Sequence, residues 1–127
     1  MQKPSLDSWL KEAKEAAGCD SNGMYLIHNG AVRSTSKASV SGSGPSDPVV
    51  SMEFSYSDES VAGAIKNASA MEGITCVKVW LNSGTLKVGD DLMFVLVGGD
   101  TRPHVFSALQ ALVSELKTQC VTEREIF

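Results

Sequence analysis

The strongest chemical cue lies near the end of the chain. Gly98-Gly99-Asp100-Thr101-Arg102-Pro103 leads directly into an apolar helical run. Free backbone N–H groups and the positive end of a helix dipole favour an anion at such a start. Gly98 and Gly99 would let a ligand approach the backbone closely, and Arg102 adds a fork shaped for phosphate or carboxylate. Alone the cue is weak, because a capped helix start with an arginine nearby more often serves only to finish the helix. Lys117 falls at the other end of the same helix, where the dipole favours a cation in any case. Arg124 follows seven residues later, and Arg33 sits beside the Asn29-Gly30 turn. His104 falls in the first helical turn, where it could assist anion binding, whereas His28 reads as a packed or hydrogen-bonded strand residue. Neither has a partner at ligand or triad spacing, and no Ser-His-Asp order, HExxH or P-loop pattern is present. No metal site and no cofactor are expected.

The elements that must position these residues follow from periodicity. Residues 5–17 predict a helix, with Ser5 or Asp7 as cap and Leu6, Trp9, Leu10, Ala13, Ala16 and Ala17 at helical spacing. Met24 to His28 predicts a strand. Asn29-Gly30 predicts either a hairpin turn, with a second strand over 31–34, or one strand carrying a bulge at Gly30. Residues 35–48, rich in Ser and Gly, predict a mobile loop. Val50, Met52, Phe54 and Tyr56 alternate as in a half-buried strand, and Ser57 caps a helix that Gly73 ends. Ile74–Leu81, Thr85–Val88 and Leu92–Val97 predict three strands, the last apolar enough to be central and covered on both faces. Asp100 or Thr101 then caps a helix with a stripe of Val105, Phe106, Leu109, Leu112, Val113 and Leu116, ending near Gln119. Val121 to Phe127 is a short, mixed tail. The order α-β-β-α-β-β-β-α predicts an α+β fold, a mostly antiparallel sheet backed by helices.

Composition bounds the function. The 127 residues fit one domain, and 43% hydrophobic content is enough for a core. The net charge of −4 leaves no broad electrostatic footprint for nucleic acid, though it permits a local cationic pocket. Cys19, Cys76 and Cys120 are odd in number and far apart, which argues against a disulfide framework or zinc site and for a reducing cytoplasm. The start, Met1-Gln2-Lys3-Pro4, predicts no signal peptide, and no apolar run predicts a membrane span.

Val77-Lys78-Val79-Trp80-Leu81-Asn82-Ser83-Gly84-Thr85-Leu86-Lys87-Val88-Gly89-Asp90-Asp91, the run from Leu92 to Gly98, Thr101-Arg102-Pro103-His104-Val105-Phe106 and Leu116-Lys117-Thr118 come in that order along the chain. Together they resemble the large, catalytic subunit of molybdopterin synthase, the MoaE family. Further back, Asn29-Gly30-Ala31-Val32-Arg33 resembles that family's "T-G-x-V-R" segment, and Val50 to Tyr56 its following strand. The resemblance spans roughly residues 24–125 and is strongest over 77–118. It implies a single MoaE-like domain of the α/β hammerhead type over 1–127. It also implies a sulfurtransferase of molybdenum cofactor biosynthesis, acting in the cytoplasm. In that family a small ubiquitin-like carrier inserts its Gly-Gly C-terminus, bearing a thiocarboxylate, and sulfur passes to cyclic pyranopterin monophosphate. By position Lys117 matches the essential lysine, Arg102 the arginine of a His-Arg pair, and Arg33 the pocket-loop arginine. Thr101 stands where that pair has its histidine. Arg124 stands where a second lysine is expected, keeping the charge without a lysine's nucleophilicity. Thr122 and Glu123 replace the aromatic residues expected before it, and the chain ends at Phe127, short of the family's longer C-terminal segment.

The resemblance thus implies catalytic roles for Lys117 and Arg124, and substrate binding by Arg33, Arg102, Thr101 and His104. Arg102 and Lys117 lie fifteen residues apart on one helix, which separates them by roughly 22 Å. If both act on one substrate, the site must straddle a homodimer, and with two carriers the assembly is a heterotetramer. The alternative reading is a non-catalytic MoaE-like paralogue, a dimeric binding module for the same carrier.

Overall fold

A computed structural model describes residues 3–16, 18–42 and 47–127. Helix α1 (Leu6–Glu15) is capped by Ser5, whose hydroxyl accepts the Ser8 N–H. A single 3₁₀ turn (Cys19–Ser21) leads to β1 (Met24–Ala31), and its register against β5 (Asp91–Gly99) shifts between Gly30 and Ala31. Of the two expectations for Asn29-Gly30, the bulged single strand is therefore the one observed. The segment expected as a mobile loop over 35–48 carries a short helix, α2 (Lys37–Ser41), capped by Ser36. Its Ser-rich sequence supplies the cap. Residues 43–46 of that expected loop lie outside the described residues. Then follow β2 (Ser51–Tyr56), α3 (Asp58–Ser69), β3 (Ile74–Leu81), β4 (Gly84–Lys87), β5 and α4 (Arg102–Glu115). After α4 the chain widens into a π-helical turn (Leu116–Cys120) and ends in β6 (Val121–Ile126). The expected mixed tail is thus a strand. Its run of charges hides the alternation that the backbone follows.

Two three-stranded antiparallel sheets result, ordered β1-β5-β3 and β4-β2-β6. The apolar run in β5 is central and buried on both faces. On one face Met93, Val95 and Val97 pack with α3 and α4, and Met52, Phe54 and Leu86 of the second sheet close the same core. On the other face Trp9 of α1 meets the Phe94 ring edge-on at 6.3 Å, and Trp80 lies 5.0 Å from Phe94. Val105, Ala108 and Leu112 form the buried stripe of α4, continued by Leu116 of the π-helical turn, whereas Phe106, expected in it, is 44% exposed. The small Ala108 at that level lets the helix lie close to its neighbours. No helix among the described residues is long and apolar enough to cross a membrane.

The start of α4 is pinned to the turn after α3. His104 Nδ1 lies 2.8 Å from the Asp100 carboxylate, and its Nε2 lies 3.5 Å from Glu72. Gly73 makes the turn with a φ of +80°, and a Cβ there would run into the side chains of Asp100 and His104. The hydrogen bond with Asp100 raises the His104 pKa, and the same bond lowers that of Asp100.

Two measurements check this packing. At Gly99 a Cβ would sit 2.5 Å from the Gly73 carbonyl oxygen, whereas at Gly63, on the exposed side of α3, it would meet nothing. Thermal unfolding of Gly99→Ala should show a loss of about 1–3 kcal/mol from overpacking. Gly63→Ala should gain about 0.5–1 kcal/mol from helix propensity. The His104–Asp100 contact contributes fully between the ordinary values of 3.8 for the carboxyl and 6.5 for the imidazole. It is lost as pH rises through the raised His104 value, or falls through the lowered Asp100 value. The stability gap between the parent and His104→Gln should therefore narrow as pH climbs above 6.5 in denaturant titrations.

Candidate functional site

A cavity of about 570 Å³ opens where the end of β1, α2, β6 and the π-helical turn converge. Arg33, Lys37 and Lys117 bring positive charge to its wall, Glu123 and Glu125 bring negative charge, and His28 faces in beside them. Each is placed by its local backbone. Met24, Leu26, His28 and Gly30 share one face of β1 by strand alternation. The first two join the core, and His28 continues the row to the cavity. A Cβ at Gly30 would press on Met93 at 3.2 Å and sit 3.7 Å from His28 Nε2, so glycine leaves the imidazole uncovered. Beyond the bulge, Val32 is tied by its N–H to the Asp90 carbonyl and by its own carbonyl to the Gly89 N–H. Those bonds fix the backbone that carries Arg33, whose Nε donates to the Thr35 carbonyl at 3.1 Å.

Lys117 is positioned by the π-helical turn, in which Leu116 and Cys120 are both buried while Lys117 stays on the outside. Its ammonium pairs with the Glu123 carboxylate. Glu125 accepts the Lys37 backbone N–H at 2.9 Å, which holds α2 against β6. Burial, and secondarily the charge of Lys117, push the His28 pKa below its ordinary value. The imidazole is therefore neutral at neutral pH and can accept a proton. The wall as a whole can hold an anion with charge-assisted hydrogen bonds while offering one proton acceptor beside it.

The structure separates the remaining candidates. Arg124 does not share the Lys117 cavity. On β6 it points to the opposite face from Glu123 and Glu125, and its guanidinium grips Glu53 through Nε at 3.1 Å and Nη2 at 2.7 Å. That bond raises the Arg124 pKa and lowers that of Glu53. Thr101, Arg102 and His104 lie at the far end of α4. Thr101 occupies the N-cap position without a side-chain capping bond, and Asp100 instead accepts the Thr101 N–H at 2.6 Å. A carboxylate of the chain itself thus sits beside the helix start expected to cradle an anion. His104 is engaged by Asp100 and Glu72, leaving exposed Arg102 as the free cation of that trio.

Sequence reasoning missed His28, Lys37, Glu123 and Glu125 as wall residues. Extending the period-two row of Met24 and Leu26 would have placed His28 on the inner face. The same alternation along 121–126 would have put Arg124 opposite the two glutamates.

Comparison with known proteins agrees with this architecture. The family model described as MoaE protein matches residues 3–119, a stretch that contains Arg33, Arg102 and Lys117 and stops before Arg124. The crystal structure of molybdopterin synthase from Staphylococcus aureus superimposes with a TM-score of 0.74 at 14% identity, covering 98% of this chain and 87% of that one. The molybdopterin biosynthesis MoaE protein from Burkholderia ambifaria MC40-6 gives 0.72 at 17% identity, with 99% and 84% covered. The complex of subunits 1 and 2 of molybdopterin-converting factor from Helicobacter pylori 26695 gives 0.66 at 13% identity, with 96% and 78% covered. No curated protein sequence matches the chain. The solved structures speak for the fold, and the family match covers nearly the whole length: the chain belongs to the MoaE family.

Proposed function

We propose that this protein is the large subunit of a molybdopterin synthase. It would take sulfur from the C-terminal thiocarboxylate of a small ubiquitin-like carrier and deliver it to cyclic pyranopterin monophosphate. The observation that carries this reading is the meeting of Arg33 and Lys117, 84 residues apart in the chain, in one cavity beside a neutral imidazole. The substrate carries a phosphate and the carrier ends in a carbonyl group. Arg33 and Lys37 suit the first, and Lys117 suits polarising or covalently engaging the second. The likeness to a complex of two molybdopterin-converting factor subunits supports a small-subunit partner.

Arg102 enters this scheme through a second copy. It is exposed and, at roughly 22 Å along α4, too far from Lys117 to act in the same chain. In a homodimer it would complete the partner's cavity. A non-catalytic role as a carrier-binding module is the second reading. It is favoured by the Lys117–Glu123 ion pair, which holds the amine away from nucleophilic work.

Incubation with thiocarboxylated carrier and the cyclic pterin should yield the dithiolene product. Its absence, with carrier binding intact, would select the binding-module reading. Lys117→Ala should cut turnover by a factor on the order of 10² or more, the scale for removing a group that stabilises developing charge. Arg33→Ala should raise KM roughly tenfold or more, as one charge-assisted bond is lost. Mixing Lys117→Ala with Arg102→Ala chains should restore part of the activity that each lacks alone. No recovery in dimers that demonstrably exchange chains would exclude a shared site.

A further inference from the structure

We propose that His28 is the general base that releases the carrier in the second half of the reaction. This rests on the sulfur-transfer reading above. Moving sulfur out of a thiocarboxylate requires that its carbon–sulfur bond break. The step begins with the carrier joined to the pterin through an acyl–sulfur link. Water must then attack the acyl carbon. As the carbon–oxygen bond forms, one water proton passes to the imidazole. The carbon–sulfur bond breaks with its electron pair going to sulfur. The carrier leaves as a carboxylate, its remaining O–H proton passing to solvent, and the imidazolium returns its proton to the thiolate or to solvent. Nothing is oxidised or reduced.

The geometry points to His28 for this proton. It faces the cavity from β1, and Gly30 beside it leaves the ring uncovered. Among the described residues no hydrogen bond occupies its ring nitrogens. The charged groups facing it are otherwise committed. Lys117 from the π-helical turn is paired with Glu123 of β6, Glu125 of β6 accepts the Lys37 amide of α2, and Arg33 donates its Nε to the Thr35 carbonyl. From β5 the neighbours are the apolar Leu92 and Met93. An uncharged imidazole among fixed charges is a wall group ready to accept a proton near neutrality. The adjacent ammonium of Lys117 could stabilise the oxyanion that forms on the acyl carbon.

The test uses the intact chain with thiocarboxylated carrier and cyclic pyranopterin monophosphate, comparing the parent with His28→Gln and His28→Ala. In the parent, kcat should fall on the acid side, through a pKa below 6.5. Both variants should lose that limb and about 10²–10⁴-fold in kcat, the usual worth of a general base. KM and carrier affinity should be nearly unchanged. Mass spectrometry should show the acyl-linked carrier–pterin conjugate accumulating, and imidazole in the buffer should partly restore His28→Ala. An active parent whose kcat and acid limb survive in both variants overturns the proposal alone. So does a rate loss with no conjugate and no imidazole rescue, which would assign His28 to packing. A parent that makes no dithiolene overturns the sulfur-transfer reading and this step with it.

Discussion

The apolar stripe of α4 lies along the face of β1 and β5, and this one contact relates the two ends of the molecule. Val105 and Ala108 anchor it near Gly99, and Leu112 and Leu116 anchor it near the cavity. Removing a side chain such as Leu112 would cost about 2–5 kcal/mol on the scale of core truncations. The larger consequence is geometric. A rigid helix held along its whole length fixes Lys117 opposite His28 and at the same time fixes Arg102 far from both. The separation of the candidate charges is thus a property of the core.

The cavity is unusual in balance more than in sign. Three cations and two carboxylates face one another across it. An anion entering would have to compete with Glu123 for Lys117, which gives the pocket a built-in selectivity. A ligand offering only weak charge would gain little, whereas one that also contacted Arg33 would add a charge-assisted bond to set against the internal pair. The surrounding apolar floor of Met52, Leu92 and Met93 strengthens every such interaction by thinning the water around it.

Much of this was legible in the residues. The apolar β5, the α4 stripe and the cap at Ser57 carry periods and chemistry that local physics reads directly, and they predict the α+β fold with its central strand. Lys117 and Arg33 were legible only through family resemblance, since a lysine at a helix end and an arginine by a turn have plainer explanations. Glu123, Arg124 and Glu125 failed for a different reason. Three consecutive charges leave Val121 alone to mark the inner face, and a short mixed tail gives no other sign that 121–126 is a strand whose alternation sends Arg124 to Glu53. Lys37 was obscured by a Ser/Gly-rich composition whose caps are satisfied only locally.

The π-helical turn after α4 spaces its hydrogen bonds one residue wider than an α-helix does. It therefore acts as an indexing device between helix and strand. A one-residue deletion inside Leu116–Cys120 would shift the register of β6 by one position, and strand alternation would bring Arg124 to the face the glutamates now hold, while disturbing the buried Leu116 and Cys120. The pocket's polarity is consequently written in chain length as much as in residue type.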